Sequence, residues 1–209
     1  GKLSFNSLGV NKASGITTTY SIANNTDDGS TVSSSTTSSS VQFNGSLSNA
    51  SNSGVNIGAQ DDEGDIQYFV GYFRFTNVAI DQGAIVQSAI LKPIKKSSSG
   101  SASKDFEIAG RDVNDAGVPS SASTLGSNRT TARVTLPKST VFDTTNGNRF
   151  DTPDIKTIIQ EIVNRAGWSS GNSIVLVLYT PTQDVSSPIK AVLGSKAGTD
   201  QSAQLEITV

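Results

Sequence analysis

The feature that most constrains the fold is a series of short segments with β-type residues, which begins at Tyr68 and continues to Val209. The first of them is rich in aromatic residues, and stretches of Gly, Pro, Asn and Asp separate the segments from one another. The predicted strands are residues 68–75, 84–94, 106–110, 130–136, 173–179, 189–193 and 204–209. Many short strands separated by turns are typical of an antiparallel sandwich. We therefore predict an all-β, jelly-roll-like β-sandwich.

One amphipathic helix interrupts this pattern. Thr152 suits the N-cap and Pro153 suits the first helical position, so we predict a helix over about residues 153–165. Its apolar stripe, spaced at i, i+3, i+4 and i+7, consists of Ile155, Ile158, Ile159 and Ile162. We interpret the helix as closing one end of the sandwich. Trp168, which follows it, is interpreted as a lid on the core, with a sugar-stacking platform as the alternative.

The first 60 residues have a different composition from the rest of the chain. The protein contains 33 Ser and 21 Thr among its 209 residues, and they are concentrated in this region. Large apolar side chains are too few here to build a core of their own. We predict a polar arm or linker with short strands at 1–60, followed by a sandwich domain at 61–209. The alternatives are a flexible linker and an extended arm that pairs with a sheet edge, either its own or a neighbour's.

Composition excludes several classes of function. The chain contains neither His nor Cys, so Ser-His-Asp triads, Cys-His dyads, disulfides and zinc or haem sites built on imidazole or thiolate are not available. Sixteen Lys and Arg against 18 Asp and Glu give a net charge of −2, which argues against binding to nucleic acid. No apolar run approaches the roughly 20 residues of a membrane helix, so we predict no membrane insertion. We expect a protein that is not an enzyme.

Two acidic segments are candidate calcium sites. Asp61, Asp62 and Asp65 lie close together around a glycine, and oxygen ligands in a loop suit Ca²⁺, the one cofactor that the sequence suggests. Asp112 and Asp115 form the second segment. The alternatives are a solvated acidic loop for the first segment and turn formation for the second, because Asp side chains often bond to the backbone of turns.

Several stretches together resemble a known family. They are residues 71–92 (GYFRFTNVAIDQGAIVQSAILK), 112–123 with 129–134, 152–178 (TPDIKTIIQEIVNRAGWSSGNSIVLVL) and 204–209. They resemble the β-sandwich of DNRLRE-type carbohydrate-binding modules, as found in secreted bacterial adhesins and in decoration and other structural proteins of phages. The sequence departs from the family pattern at Asp81, Leu136 and Val209, where Pro, an aromatic residue and a terminal aromatic residue are usual.

This resemblance implies a non-enzymatic jelly roll that is displayed on a virion surface or outside a cell. Our first hypothesis is a virion-surface structural protein of the capsid-decoration or fibre type. Its N-terminal arm would contact other copies of the chain or a major capsid protein. The alternative is a secreted carbohydrate-binding or adhesive module that binds cell-surface glycans with the help of calcium. An enzyme that cleaves polysaccharides is the third hypothesis, and it needs two carboxylates facing each other across a cleft.

Overall fold

Strands account for most of the regular structure in the computed structural model, which describes residues 15–34, 42–49, 54–101, 103–181, 188–195 and 200–209. The strands in these ranges are β1 (Thr17–Ser21), β2 (Asp28–Ser34), β3 (Ser46–Asn49), β4 (Val55–Asp62), β5 (Asp65–Phe75), β6 (Ser88–Lys92), β7 (Lys95–Ser99), β8 (Phe106–Gly110), β9 (Val134–Leu136), β10 (Ile174–Tyr179), β11 (Lys190–Leu193) and β12 (Gln204–Thr208). The helices are α1 (Ala122–Gly126), α2 (Lys138–Phe142) and α3 (Lys156–Val163). In this part of the chain, no helix is long and apolar enough to cross a membrane.

The strands form two antiparallel sheets. The larger sheet has the order β7-β11-β4-β5-β10-β8-β9, with β2 paired to β5 and β3 paired to β2. The smaller sheet has the order β1-β12-β6. The main core contains side chains of both sheets and of α3. The predicted all-β antiparallel sandwich fold is therefore confirmed.

The larger sheet curls because two strands share one edge of β5. β2 pairs with residues 67–73 of β5, so β4 at residues 65–69 and β10 at residues 71–75 must lie along the opposite edge. β4 leaves β5 at Gly58, where φ is +96° and a Cβ would lie 2.1 Å from the Ile189 carbonyl oxygen. It then crosses Gly71, whose Cβ would lie 2.6 Å from the Ile57 side chain. Glycine at both positions allows β4 to fold over the face of β5.

The described part of the first 60 residues belongs to the sheets, which corrects the division predicted at residue 60. That boundary lies inside β4, while β2 pairs with seven residues of β5. β1 pairs with β12 at the edge of the smaller sheet, as the alternative of an arm paired to its own sheet describes. The polar composition was misleading because small hydroxyl side chains such as Ser30 and Thr31 are buried in β2. Residues 1–14 lie outside the described residues.

The helix α3 has the predicted apolar stripe but different ends. Ile158, Ile159 and Ile162 are buried in the main core, and so is Ile155, which is the N-cap residue. The helix begins at Lys156 and ends at Val163, not at residues 153 and 165.

The start of α3 differs from the prediction because Thr152 bonds to β6 instead of capping the helix. Its Oγ1 accepts a hydrogen bond from Leu91 N at 3.1 Å and donates one to the Pro153 carbonyl at 3.0 Å. Pro153 therefore precedes the helix. Trp168 is 2% exposed in the core, and its Nε1 donates to the Ile80 carbonyl at 2.8 Å. The short helices α1 and α2 were not predicted.

Candidate functional site

The face of β5, β10 and β8 that points away from the main core carries a second apolar cluster. Its members are Val70, Tyr72, Ala109, Ala116, Leu125, Val175, Val177 and Tyr179, with Phe43, Leu47 and Val113 packed against them. Alternation along β5 separates this face from the one that bears Phe73 and Phe75. We call it the second face. Polar and charged side chains lie at the margins of the second face, where they form two clusters.

The first is the arginine–aromatic cluster, which consists of Phe43, Glu107, Arg111, Arg129, Arg133 and Tyr179. The guanidinium carbon of Arg129 lies 4.3 Å from the centre of the Phe43 ring and 4.9 Å from that of Tyr179. The two rings meet edge to face, with their centres 5.4 Å apart. The two distances from Arg129 to the ring centres are in the range of cation–π contacts. These contacts hold the Arg129 side chain in place.

A carboxylate stands beside these rings. The Tyr179 hydroxyl donates a hydrogen bond to Glu107, which lies directly opposite Tyr179 on the neighbouring strand. Burial and this bond raise the pKa of the Tyr179 hydroxyl, so the hydroxyl remains a donor. Arg133 Nε lies 3.5 Å from the same carboxylate of Glu107. The acidic member of the cluster is thus already engaged by two groups of the protein.

Arg111 and Arg129 are the unsatisfied members of the cluster. They form an isolated antiparallel bridge, so their side chains leave the backbone on the same side of the sheet. Arg111 Nε and Arg129 Nη1 are both buried, and neither has a hydrogen-bond acceptor within the described part of the chain. Burial lowers the pKa of both guanidinium groups. Each arginine thus lacks an interaction that buried guanidinium groups normally make.

The second cluster surrounds the ion pair of Asp27 and Arg74. Arg74 Nη1 lies 2.7 Å from Asp27 Oδ1, and Asp27 is fully buried. Arg74 also donates to the Ala116 carbonyl at 2.6 Å and to Ser173 Oγ at 3.1 Å. The other oxygen of Asp27 accepts two bonds from Asn24, each of 3.0 Å. This pair is well bonded on both sides and joins β2, β5 and the start of β10.

Asp28, the next residue, is buried without such support. It is 1% exposed, and no described group donates a hydrogen bond to its Oδ2. Burial, with a further contribution from the charge of Asp27, raises the pKa of Asp28 to about 7. Burial and the two aspartates also raise the pKa of Tyr72, whose hydroxyl donates to the Thr26 carbonyl at 3.1 Å.

The first predicted calcium segment is a β-hairpin turn. Glu63 and Gly64 have φ angles of 54° and 92°, as in a two-residue hairpin loop between β4 and β5. Asp61 Oδ1 accepts from Gly64 N at 2.8 Å, and Asp62 Oδ2 accepts from Gln67 Nε2 at 2.6 Å. Asp65 lies opposite Asp62 at the end of the hairpin.

The second predicted segment is bonded to the residues between α3 and β10. Asp112 Oδ1 lies 2.5 Å from Arg165 Nη1, and Asp115 Oδ1 accepts from Ser173 N at 2.8 Å. Ser173 precedes β10 opposite the end of β5, whereas the hairpin is at its start. Because β5 has 11 residues, these ends are about 33 Å apart. Among the described residues, no three or more Asp and Glu are arranged to hold a metal ion.

Comparisons with known proteins give no family for this chain. No protein-family model matches it, and no curated protein has a significantly similar sequence. The resemblance to DNRLRE-type modules therefore stays a prediction.

Sequence reasoning missed both charged clusters. The candidate residues from the sequence include neither Asp27 nor Arg129. The members of each cluster come from distant parts of the chain, so no local spacing connects them. The position of Arg74 on the same strand face as Tyr72 is the one signal in the sequence that indicates a buried charge in need of a partner.

Proposed function

We propose that the chain is a non-enzymatic structural protein of a virion surface, of the capsid-decoration or fibre type, with its β-sandwich displayed outward. The observation that carries this proposal is the exposed end of the smaller sheet at which β1 begins. β1 is the edge strand of that sheet, and Ile16 immediately before it is 73% exposed. The resemblance of residues 112–123 to a stretch found in phage structural proteins supports a virion in particular.

The same end of the sheet has further features of a contact surface. The outer edge of β1 has no strand partner among the described residues, so its backbone groups are available to a strand of another chain. Thr17 and Ser88 both lie opposite Thr208, so β1 and β6 start at the same end of the sheet. Ile85, shortly before β6, is 78% exposed. This end and residues 1–14 are the proposed contact with other copies of the chain or with a major capsid protein.

Removal of residues 1–14, combined with Ile16→Ser and Ile85→Ser, should abolish attachment while the sandwich remains folded. The reason is that these changes affect the proposed contact and leave every described strand in place. Particles assembled with the wild-type or the variant chain are purified on a density gradient. The number of copies per particle is then measured by quantitative mass spectrometry.

Val118→Ser is the matched control, because Val118 is also an exposed apolar residue, at 45%, but lies in another part of the fold. We expect wild-type occupancy for this control. Full occupancy of the combined variant would refute attachment through this end of the sheet. Recovery of the wild-type chain only in the particle-free fraction would refute the virion proposal itself.

A glycan-binding module is the second candidate, and a surface depression favours it. The depression has a volume of about 410 Å³ and is lined by Val32, Ser33, Ser34, Asn44, Gly45 and Ser46. Three hydroxyl groups and one amide in a concave site are the kinds of group that hydrogen-bond to sugar hydroxyls. This candidate would act on cell-surface glycans and serve adhesion.

If the depression binds glycans, Ser34→Ala combined with Asn44→Ala should weaken binding by about tenfold. Loss of two hydrogen bonds of roughly 0.5–1.5 kcal/mol each accounts for this factor. A glycan array probed in Ca²⁺ and again in EDTA identifies the ligand and tests the calcium requirement. Ser170→Ala, an exposed serine in a turn, is the control. Blank arrays in both buffers would eliminate this candidate.

A further inference from the structure

Three arginines share one row across the second face. Arg74 lies opposite Val175 on one side, and Arg111 donates its backbone N–H to the Val175 carbonyl on the other. Arg129 follows as the bridge partner of Arg111. The row therefore runs from Arg74 through Val175 to Arg111 and Arg129. Among the described residues, Arg74 is the one arginine of the row with a carboxylate at ion-pair distance, since Asp27 lies 2.7 Å away.

The local charge balance at the other end of the row is positive. Among the described residues, the charged members of the arginine–aromatic cluster are Arg111, Arg129, Arg133 and Glu107, and the carboxylate of Glu107 already bonds to Tyr179 and contacts Arg133. The carboxylate of Glu161 lies nearby but accepts hydrogen bonds from the backbone N–H groups of Thr131 and Ala132. Within the cluster, three guanidinium groups therefore share one carboxylate. The whole protein has a net charge of −2, so this excess is a property of the site and not of the composition.

Arg111 and Arg129 are neighbouring arginines that each have one buried nitrogen without an acceptor in the described part of the chain, which suits them to bind an anion. Bridge partners in an antiparallel pair have Cβ atoms roughly 4.5–5.5 Å apart, so the two side chains start as neighbours. Both residues are partly exposed, and part of each side chain is therefore in reach of solvent. Arg129 contacts the rings of both Phe43 and Tyr179, which limits the entropy that is lost when a ligand binds. Guanidinium groups form paired hydrogen bonds with two oxygens of one oxyanion, such as a carboxylate or a phosphate.

We propose that Arg111 and Arg129 together bind an oxyanion, which is either a free inorganic anion or the carboxylate or sulfate group of an acidic sugar. The anion occupies the exposed side of the two guanidinium groups and supplies the missing counter-charge. Glu107 stays with Tyr179 and Arg133 and repels the anion from that side, so the anion lies nearer to Arg111. This binding site is separate from the contact surface at β1, which belongs to the smaller sheet.

The test is thermal unfolding of the full chain in sodium sulfate, sodium acetate, sodium glucuronate and sodium chloride, all at the same ionic strength. We expect a saturable rise in Tm with sulfate or a carboxylate and none with chloride. A ligand at ten times its Kd should raise Tm by about 3–6 °C in a protein of this size. A lower Kd for glucuronate than for acetate indicates an acidic sugar, whereas equal values indicate the free anion.

Arg111→Met and Arg129→Met should each abolish the rise in Tm, while Arg133→Met, which removes the arginine already in contact with Glu107, should retain it. Arg111→Met should also leave the Tm without anion at or above the wild-type value, because it removes a guanidinium group whose buried Nε has no acceptor among the described residues. If Arg129→Met does not fold, Arg129→Lys with NMR titration of Arg111 Nε tests the same site. Equal responses to chloride and sulfate, an unchanged response in the Arg111 variant, or binding of acidic peptides alone would overturn the proposal.

Discussion

A variant that lacks residues 1–60 is expected to be unfolded. The deletion removes β1, β2, β3 and most of β4, so β5 loses its partner along one edge and the partner of its first half along the other. It also removes Tyr20, Ile22, Val55 and Ile57 from the main core. Truncation of one large core side chain costs about 2–5 kcal/mol, whereas entire domains are stable by only about 5–15 kcal/mol. The combined loss exceeds what the remaining sandwich can tolerate.

Circular dichroism and two-dimensional NMR spectra measure the effect directly. The variant without residues 1–60 should show poorly dispersed amide signals and no cooperative thermal transition. The control is deletion of residues 1–14 alone, which leaves β1 intact and should give a dispersed spectrum. A cooperative transition of the longer deletion near the wild-type Tm would restore the division of the chain into an arm and a separate domain.

Asp28→Asn should flatten the pH dependence of stability between about pH 4 and pH 7. The pKa of Asp28 is about 7 in the folded protein against an ordinary value of 3.8. The folded state therefore holds a proton that the unfolded state has lost. The contribution of this group to stability is complete below about pH 4 and is lost as the pH rises to about 7. At 1.36 kcal/mol per pH unit, the loss amounts to about 4 kcal/mol.

Urea unfolding at pH 4.5, 6, 7 and 8 measures this difference between wild type and variant. Asn has the same shape without the charge, so the variant should be more stable than the wild type at pH 8. Asp143→Asn is the control, because Asp143 is exposed at the end of α2 and should leave the slope unchanged. Parallel pH profiles for the wild type and Asp28→Asn would show that the carboxyl of Asp28 is ionised in the folded protein.

Much of the fold could be predicted because its strands carry local signals. The alternation of residues 68–75 and the apolar run at residues 173–179 correspond to most of β5 and to β10. β2 was unpredictable on these grounds, because its stability comes from pairing with β5 and not from its own Ser and Thr side chains. The start of α3 was misplaced because Thr152 has two possible partners, and a bond to a distant strand replaced the local cap.

The candidate site was harder to predict than the fold. The acidic residues at 61–65 were predicted as a calcium site because they are close together in sequence. In the structure they form the turn of the β4–β5 hairpin. The arginine–aromatic cluster combines Phe43, Glu107, Arg129 and Tyr179 from four separate segments. Only the register of β8 with β10 and the bridge between Arg111 and Arg129 bring these residues together. A single sequence carries no information on such register.

The central position of β12 determines when the smaller sheet can form during synthesis of the chain. β12, at residues 204–208, lies between β1 and β6, so neither of these strands has its partner until that segment has left the ribosome. Pairing across almost the whole chain is also slow, because a long loop must close first. A nascent or truncated chain thus lacks the finished edge at β1. If that edge makes the proposed contact, a chain can form the contact only after residues 204–208 have been synthesised.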